Sequence, residues 1–526
     1  MAVVMPAEQH DLRPSTRGYL IDESLYPPTT LRRKRMGAKR MLEDAKTPNS
    51  PAWWLLRLGA RLERDQGRFD SLDAYWRGNH PVAFGNHKMR EAYRRFQAQS
   101  KTNFCSLVAE SVIERLRVTG FRAGGDGSDI LDKQAWGWWQ TNHLDADSGL
   151  VHRAAIVMSR AYVIVGEHPD VPGQPMVTGE DPRQVIHESA PGRRRQLLAA
   201  LKTWWDDPVG RQLAVLYLPD RVHYFRTEQQ SAEATAQPWT AAKWEVDTSS
   251  DYPDGTAVNT LGEVPVVPFL NRPDLSGQTL GEFEDVISVQ DRINTEVLDR
   301  MVISAMQAYR QRWATGVDLT DENGNPSGGF DPGADLLWNV ADDNAKFGEF
   351  SPVDLVGVLK AVEADVQHLA AITRTPPHYL LGAMINISGD ALGAAETGLT
   401  SKVSERSQEF GESWEMVYQL AGKVRGQSVP DDCEVIWADP QFRTLTEMAA
   451  ANVQLVTAGV PWRTRMALLD FTPSQIDRMQ TERVSDAMIT SALAPPAAVG
   501  PPAPGGQGGA AVPASAAARA AQPANA

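Results

Sequence analysis

Residues able to do chemistry are scattered along this chain rather than gathered. Asp145, Asp147 and Gly149 have the opening spacing of a calcium loop, but the twelfth position is Ile156, which cannot supply a bidentate carboxylate. His80 and His87 share one segment; two imidazoles without a third ligand read as surface residues. Asp206-Asp207, Asp342-Asp343 and Asp431-Asp432 read as solvated pairs. The two cysteines, Cys105 and Cys433, lie far apart in no metal-ligand spacing and read as reduced, buried thiols. Gly124, Gly125 and Gly127 lack the strand before and helix after that a dinucleotide fingerprint needs, so they read as a surface turn. Trp136, Trp138 and Trp139, at helical spacing, read as a core anchor rather than a platform for stacked bases. The sequence holds no G-x-x-x-x-G-K-[S/T], H-E-x-x-H, C-x-x-C or G-x-S-x-G pattern. It therefore offers no catalytic set, metal site or cofactor, and an enzyme is not expected. A hydrolase acting on nucleic acid or cell wall stays open as an alternative, without a carboxylate set to nominate.

The elements that would position such residues look like parts of an assembly. At 526 residues, 42% of them hydrophobic, the chain can build several cores. A net charge of −14 argues against a generic nucleic-acid binder. No apolar run approaches the roughly 18 residues of a membrane span, and the first residues carry neither the basic nor the long apolar region of a secretory signal. Residues 1–50 hold nine Lys/Arg against six Asp/Glu and form a basic arm, either solvated or contacting nucleic acid or an acidic neighbour. Residues 491–526, almost all Ala, Pro and Gly, are expected to be disordered.

Between these ends the patterning predicts an α+β body. Helices are expected over 51–66, 86–100, 103–118 and 136–160. In the third, Asn103 is the N-cap, with Leu107, Val108, Val112 and Leu116 on the buried face. Strands are expected at 161–167, 183–188, 212–219, 221–227, 243–248 and 264–269, interrupted by a helix at about 193–205. The prolines of VPVVPF mark the last strand as an edge or a connector. Three long helices follow. The first covers about 280–312, with Thr279 and Glu282 as a capping box. The second covers about 352–372, with Leu355, Leu359, Val362, Val366 and Leu369 in one stripe. The third covers about 389–422, with Leu392, Leu399, Val403, Phe410, Trp414, Val417 and Ala421 on one face. Residues 313–352 carry eight Asp/Glu and one Lys in a turn-rich insert, read as a small β-rich excursion. Pro376-Pro377 stops the second helix, and Thr472-Pro473-Ser474-Gln475 opens a last helical region. Long stripes that one chain cannot cover suggest completion by neighbouring copies.

Laid out in order, these runs resemble the portal proteins of tailed double-stranded DNA phages, most closely those of actinobacterial phages. The resemblance spans roughly 60–490. It rests on NFCSLVAESVIERLRVTGFR (103–122), W-x-x-N-x-L-D from Trp139 to Asp145, LAVLYLPD (213–220) and LGEVPVVPFLNRP (261–273). It rests equally on GEFEDVISVQDRINTEVLDRM (281–301), RWATG (312–316), TPPHYLL (375–381), SGDALGAAETGL (388–399) and VIWADPQFRTLTEMAAANVQLVTAG (435–459).

The resemblance implies a ring, usually of twelve subunits, at one capsid vertex, through which double-stranded DNA is packaged and ejected. It implies an N-terminal arm (1–59), a wing (60–278), stem helices (279–312 and 353–372) and a clip (313–352). It further implies a tunnel-loop region (373–388), a long wing helix (389–424), a crown (425–490) and a tail (491–526). Implied partners are further copies of the chain, large terminase, a head–tail adaptor, and major capsid and scaffolding proteins, with no membrane. Implied location is the virion, after assembly in the host cytoplasm. The ATPase would belong to the separate terminase. Candidate channel-lining residues are Glu282, Glu284, Asp285, Asp291, Glu296 and Asp299, with pairing to Arg292, Arg300 and Arg310 across subunits as the alternative. Met384, Ile385 and Asn386 are the candidate tunnel-loop tip, or a plain connector. Asp318, Asp321, Glu322, Asp331 and Asp335 are the candidate clip interface. Another ring-forming connector is the second alternative.

Overall fold

The computed structural model describes residues 44–81, 96–122, 132–208, 210–228, 239, 242–248, 253–308, 312–316, 346–349, 355–382, 389–441, 445–469 and 471–493. The chain divides into two units, 1–474 and 475–526. The first unit is a mixed helix and sheet body.

Helix α1 (Pro51–Trp76) starts where the Ser50 hydroxyl accepts the Trp53 N–H at 3.2 Å and Pro51 takes the first turn. Helix α2 (Phe104–Ile113) is capped as expected, Asn103 Oδ1 accepting the Ser106 N–H at 3.1 Å. Its buried face steps through Cys105, Val108, Ala109 and Val112. Leu107, expected on that face, is 42% exposed, because it lies two residues past Cys105 and so about half a turn round. Strand β1 (Val118–Arg122) follows. The helical stretch expected at 136–160 is two helices, α3 (Lys133–Thr141) and α4 (Leu144–Met158), parted at His143, whose φ of 56° lies in the left-handed region.

Among the described residues the strands form two larger antiparallel sheets and two two-stranded pairs. One orders β10 (Val266–Leu270), β2 (Arg160–Glu167) and β3 (Pro175–Glu180), so the proline-bearing strand is an edge, as its composition predicts. The other is a meander of β4 (Val185–Ala190), β5 (Arg193–Asp206), β6 (Arg211–Tyr217), β7 (Arg221–Thr227) and β8 (Trp244–Val246), with β9 (Thr256–Val258) also on β7. The helix expected at 193–205 is therefore strand β5. Gly192, at φ 75°, turns the chain straight back from β4, and β5 pairs on both edges. Ala199, Ala200 and Leu201 are buried in succession, so both of its faces are covered and the strand carries no alternating signature.

The long helices come next. After a 3-10 turn at Glu284–Val286, α5 (Ile287–Ala308) leads to β11 (Arg312–Thr315). That strand pairs antiparallel with β12 (Lys346–Glu349), from which the chain returns as α6 (Leu355–Ile372). Helix α5 starts later than expected because Thr279 and Glu282 do not cap it. The Thr279 hydroxyl meets Ser159 Oγ at 3.0 Å and Glu282 turns into the core. A short helix α7 (Pro377–Leu381) precedes the 36-residue α8 (Gly389–Val424). Strand β13 (Glu434–Trp437), in the segment expected as crown, pairs with β1, in the segment expected as wing. Helices α9 (Leu445–Thr457) and α10 (Trp462–Leu468) complete the first unit. Helix α11 (Pro473–Leu493) begins at the expected capping box and runs three residues into the expected tail.

The main core gathers α2, α3, α4, the β10-β2-β3 sheet, the start of α5, the end of α6 and the buried face of α8. Leu399, Val403, Phe410, Trp414, Val417 and Ala421 of α8 are all buried on one face, as their spacing predicts, but within a single chain, which corrects the expectation that neighbouring copies complete this stripe. Trp414 meets Trp139 and Phe269 edge-to-face at 4.9 and 4.7 Å, and its indole N–H donates to His152 Nε2 at 2.9 Å. The tryptophans of α3 thus sit in the core, not on a surface platform. A second core joins Leu55, Leu58 and Leu62 of α1 to Leu201, Phe225, Trp239 and Trp244.

Candidate functional site

The geometry centres on the helical hairpin α5–β11/β12–α6. Arg292, near the start of α5, forks onto Asp365, late in α6, through Nε (2.5 Å) and Nη2 (2.6 Å). With the β pair joining the other ends, the two helices run antiparallel. The guanidinium holds the Asp365 carboxyl below its ordinary range. Arg292 thus has a carboxylate partner within its own chain. On α6, Val366, Leu369 and Ala370 are buried. Leu359, with Val356 one turn before it, is exposed (46% and 57%), so the stripe is covered toward its end and open at Leu359. The water-facing side of α5 is polar, with Ser288, Asp291, Arg292, Thr295 and Asp299 all exposed.

The six candidate lining carboxylates separate into distinct settings. Glu282 is a correction: it is 5% exposed and its carboxylate faces Arg406 Nε at 3.1 Å and Lys402 Nζ at 3.4 Å, so it cannot line a channel. Glu284 is half-buried and takes a forked pair from Arg68, at 2.7 Å on each oxygen. Asp285 is exposed and pairs with Arg272 at 2.5 Å. Asp291 is exposed and accepts the Tyr75 hydroxyl at 2.8 Å. Glu296 is half-buried, and burial, then the Asp365 charge, push its carboxyl upward. Asp299 is exposed. Asp285, Asp291 and Asp299 are thus the candidates that water can reach freely. Asp318, Asp321, Glu322, Asp331 and Asp335, like Met384, Ile385 and Asn386, lie outside the described residues.

Sequence reasoning missed the cations that neutralise Glu282. Lys402 and Arg406 sit four apart on the stripe of Leu399, Val403 and Phe410, so two cations on a core-facing strip were the available signal. Lys402 is 1% exposed, and its Nζ also donates to the Thr373 carbonyl at 2.8 Å, just past the end of α6. Burial lowers the Lys402 pKa, and the Glu282 charge opposes that shift.

His80 is another correction. It is buried rather than on the surface, stacked on Tyr75 at 4.9 Å and within 2.9 Å of Asn294 Nδ2. Its ring fills a slot between α1 and α5 that local sequence cannot reveal. His87 lies outside the described residues. Asp145 accepts from Trp139 Nε1 (2.9 Å) and Gln140 Nε2 (2.7 Å), which is a structural use of the residue. Among the described residues no group of three His, Cys, Asp or Glu is placed to hold a metal, and no helix is long and apolar enough to cross a membrane.

Comparison with known proteins gives matches over most of the chain. The family model described as Phage portal protein, SPP1 Gp6-like, matches residues 57–487. The portal protein of Mycobacterium phage D29 is 29% identical over 373 residues, covering 67% of this chain and 72% of that protein. The portal protein of Mycobacterium phage L5 is 29% identical over 401 residues, covering 72% and 76%. Among solved structures, a chain from the neck of a native GTA particle computed with C12 symmetry is 10% identical. Its TM-score is 0.38, with 72% of this chain and 90% of that chain covered.

Proposed function

The chain belongs to the SPP1 Gp6-like phage portal proteins, and from that membership we propose that it closes with like copies into a ring, twelve in number, around a channel for double-stranded DNA. As a portal protein it is a structural component of the phage virion. In our reading terminase docks on the ring during packaging and a head–tail adaptor docks later, both through the clip at 313–352. Capsid and scaffolding proteins surround the wing, and assembly takes place in the host cytoplasm. Residues 279–312 and 353–372 are the stem, 389–424 the long wing helix, and 373–388 with Met384, Ile385 and Asn386 the tunnel loop.

The observation that carries this reading is the unlike dressing of the two stem helices. Helix α6 leaves Val356 and Leu359, neighbours one turn apart, exposed, an apolar surface suited to a neighbouring copy. Helix α5 offers water a polar side carrying Asp291 and Asp299. A channel for sliding DNA must not grip it. A cationic wall would release counterions and bind phosphate tightly, whereas carboxylates keep contacts weak. Electron microscopy of the purified protein tests the reading. Closed rings with an opening wide enough for a duplex support it; solitary protomers, or closed discs without an opening, overturn it.

A further inference from the structure

The ion cluster in the core joins three elements that a ring must hold at a fixed angle. Glu282 lies in the segment leading into α5. Lys402 and Arg406 come from α8. Thr373 closes α6 and gives its carbonyl to Lys402 at 2.8 Å. Asn271, at the end of the β10 edge strand, donates from Nδ2 to Glu282 Oε2 at 3.4 Å and to the Leu280 carbonyl at 2.8 Å. Arg406 Nη1 continues outward to Glu405 at 3.4 Å. One carboxylate and two cations, all buried, thus tie both ends of the stem hairpin to the long wing helix and the wing sheet. Apolar contacts around them, such as Leu399, Leu369 and Phe283, tolerate sliding and rotation; ionic hydrogen bonds do not, since each has one direction and one length.

We propose that Glu282, Lys402 and Arg406 act as an angular lock, setting the tilt of the stem hairpin against α8 and so the number of copies at which the ring closes. The proposal rests on the ring reading above. Its logic is geometric. Each copy in a twelve-membered ring turns by about 30° and in a thirteen-membered ring by about 28°, so a hinge that drifts by roughly 2° changes the closure number. Packing alone fixes a helix crossing only to within some 15–20° across the repertoire of such contacts. A directional cluster at the hinge narrows that range. A buried ion cluster is poor as a source of stability, because desolvation cancels much of its attraction, but it is well suited to specifying one arrangement.

The experiment is native mass spectrometry of full-length rings, wild type beside the Glu282→Gln, Lys402→Met, Arg406→Met triple variant, with thermal unfolding of both. The expected result is one stoichiometry for wild type and a spread over two or more, with open arcs, for the triple variant, whose unfolding midpoint is unchanged or raised. A purely structural cluster would instead lower the midpoint and leave the stoichiometry single, which overturns the lock. If the triple variant does not fold, Arg406→Lys keeps the charge but loses the directional Nε bond. It should broaden the distribution less, and a single unchanged stoichiometry there counts equally against the proposal. Wild-type protein that stays monomeric overturns the ring reading and the lock with it, whereas wild-type rings matched by identical variant rings overturn the lock alone.

Discussion

Replacing Glu282 by Gln isolates what the buried carboxylate does within one protomer. The side chain keeps its size, so packing against the start of α5 is preserved. What changes is charge: Lys402 and Arg406, 3.4 and 3.1 Å away, are left in the core without a counterion. Removing one partner of a buried pair costs about 3–5 kcal/mol, because the remaining charge stays desolvated. Two stranded cations put this site toward the upper end, and Glu405, next to Arg406 Nη1, offsets part of the cost. Urea denaturation followed by tryptophan fluorescence reads the loss directly, since Trp414 lies two turns further along the same helix. The control is Asp299→Asn, an exposed α5 carboxylate expected to shift stability by no more than about 0.5 kcal/mol. A Glu282→Gln protein within about 1 kcal/mol of wild type would refute the reasoning, because it would mean that water reaches the cluster. Glu282 would then return to the set of possible channel residues.

Four further outcomes follow from the same structure. His152 is fully buried and neutral, with Nδ1 3.2 Å from the Leu116 carbonyl and Nε2 accepting from Trp414, and burial pulls its pKa from 6.5 to about 4. The unfolded chain gains a proton that the folded one refuses, so stability falls as pH drops from 6.5 to 4 and then levels off. His152→Gln should shrink the loss between pH 7 and 4, measured by denaturation, by roughly 3 kcal/mol. Trp414→Ala should cost about 3–5 kcal/mol in the same assay, through the cavity left among Trp139, Phe269 and Phe410. Gly59→Ala would place a methyl 1.7 Å from the Trp239 ring, forcing that ring out of its seat on α1 at about 1–3 kcal/mol, visible as a shifted unfolding midpoint. Changing Asp291 and Asp299 together to Lys should slow packaging in an in vitro assay, most at low salt, with rings forming normally; an unchanged packaging rate removes these residues from the lining.

Much of the fold was legible because local and tertiary preferences agreed. The α8 stripe from Leu399 to Ala421, the Asn103 cap and the edge position of VPVVPF each follow from residues a few positions apart. Failures occurred where a partner remote in sequence decided the outcome. Residues 193–206 contain helix-favouring Leu and Ala, but they are claimed on both edges by β4 and β6. Glu282 has the spacing of a capping residue, yet two cations 120 and 124 positions away draw it inward. His80 becomes a core residue because Asn294, 214 positions away, closes over a ring already stacked on Tyr75. The candidate site was legible as a pair of long helices, α5 and α6, with exposed carboxylates. Which carboxylates are available was not, because that depends on Arg68, Arg272 and Tyr75 arriving from other elements.

The central claim is that the open α6 surface is finished by another copy of the same chain. Sedimentation of wild-type protein beside a Val356→Asp, Leu359→Asp variant tests it most directly, with circular dichroism to show that each protomer is folded. The account predicts a large, discrete assembly for wild type and a folded monomer for the variant. Equal assembly of the two, or a wild type that remains monomeric at high concentration, contradicts it.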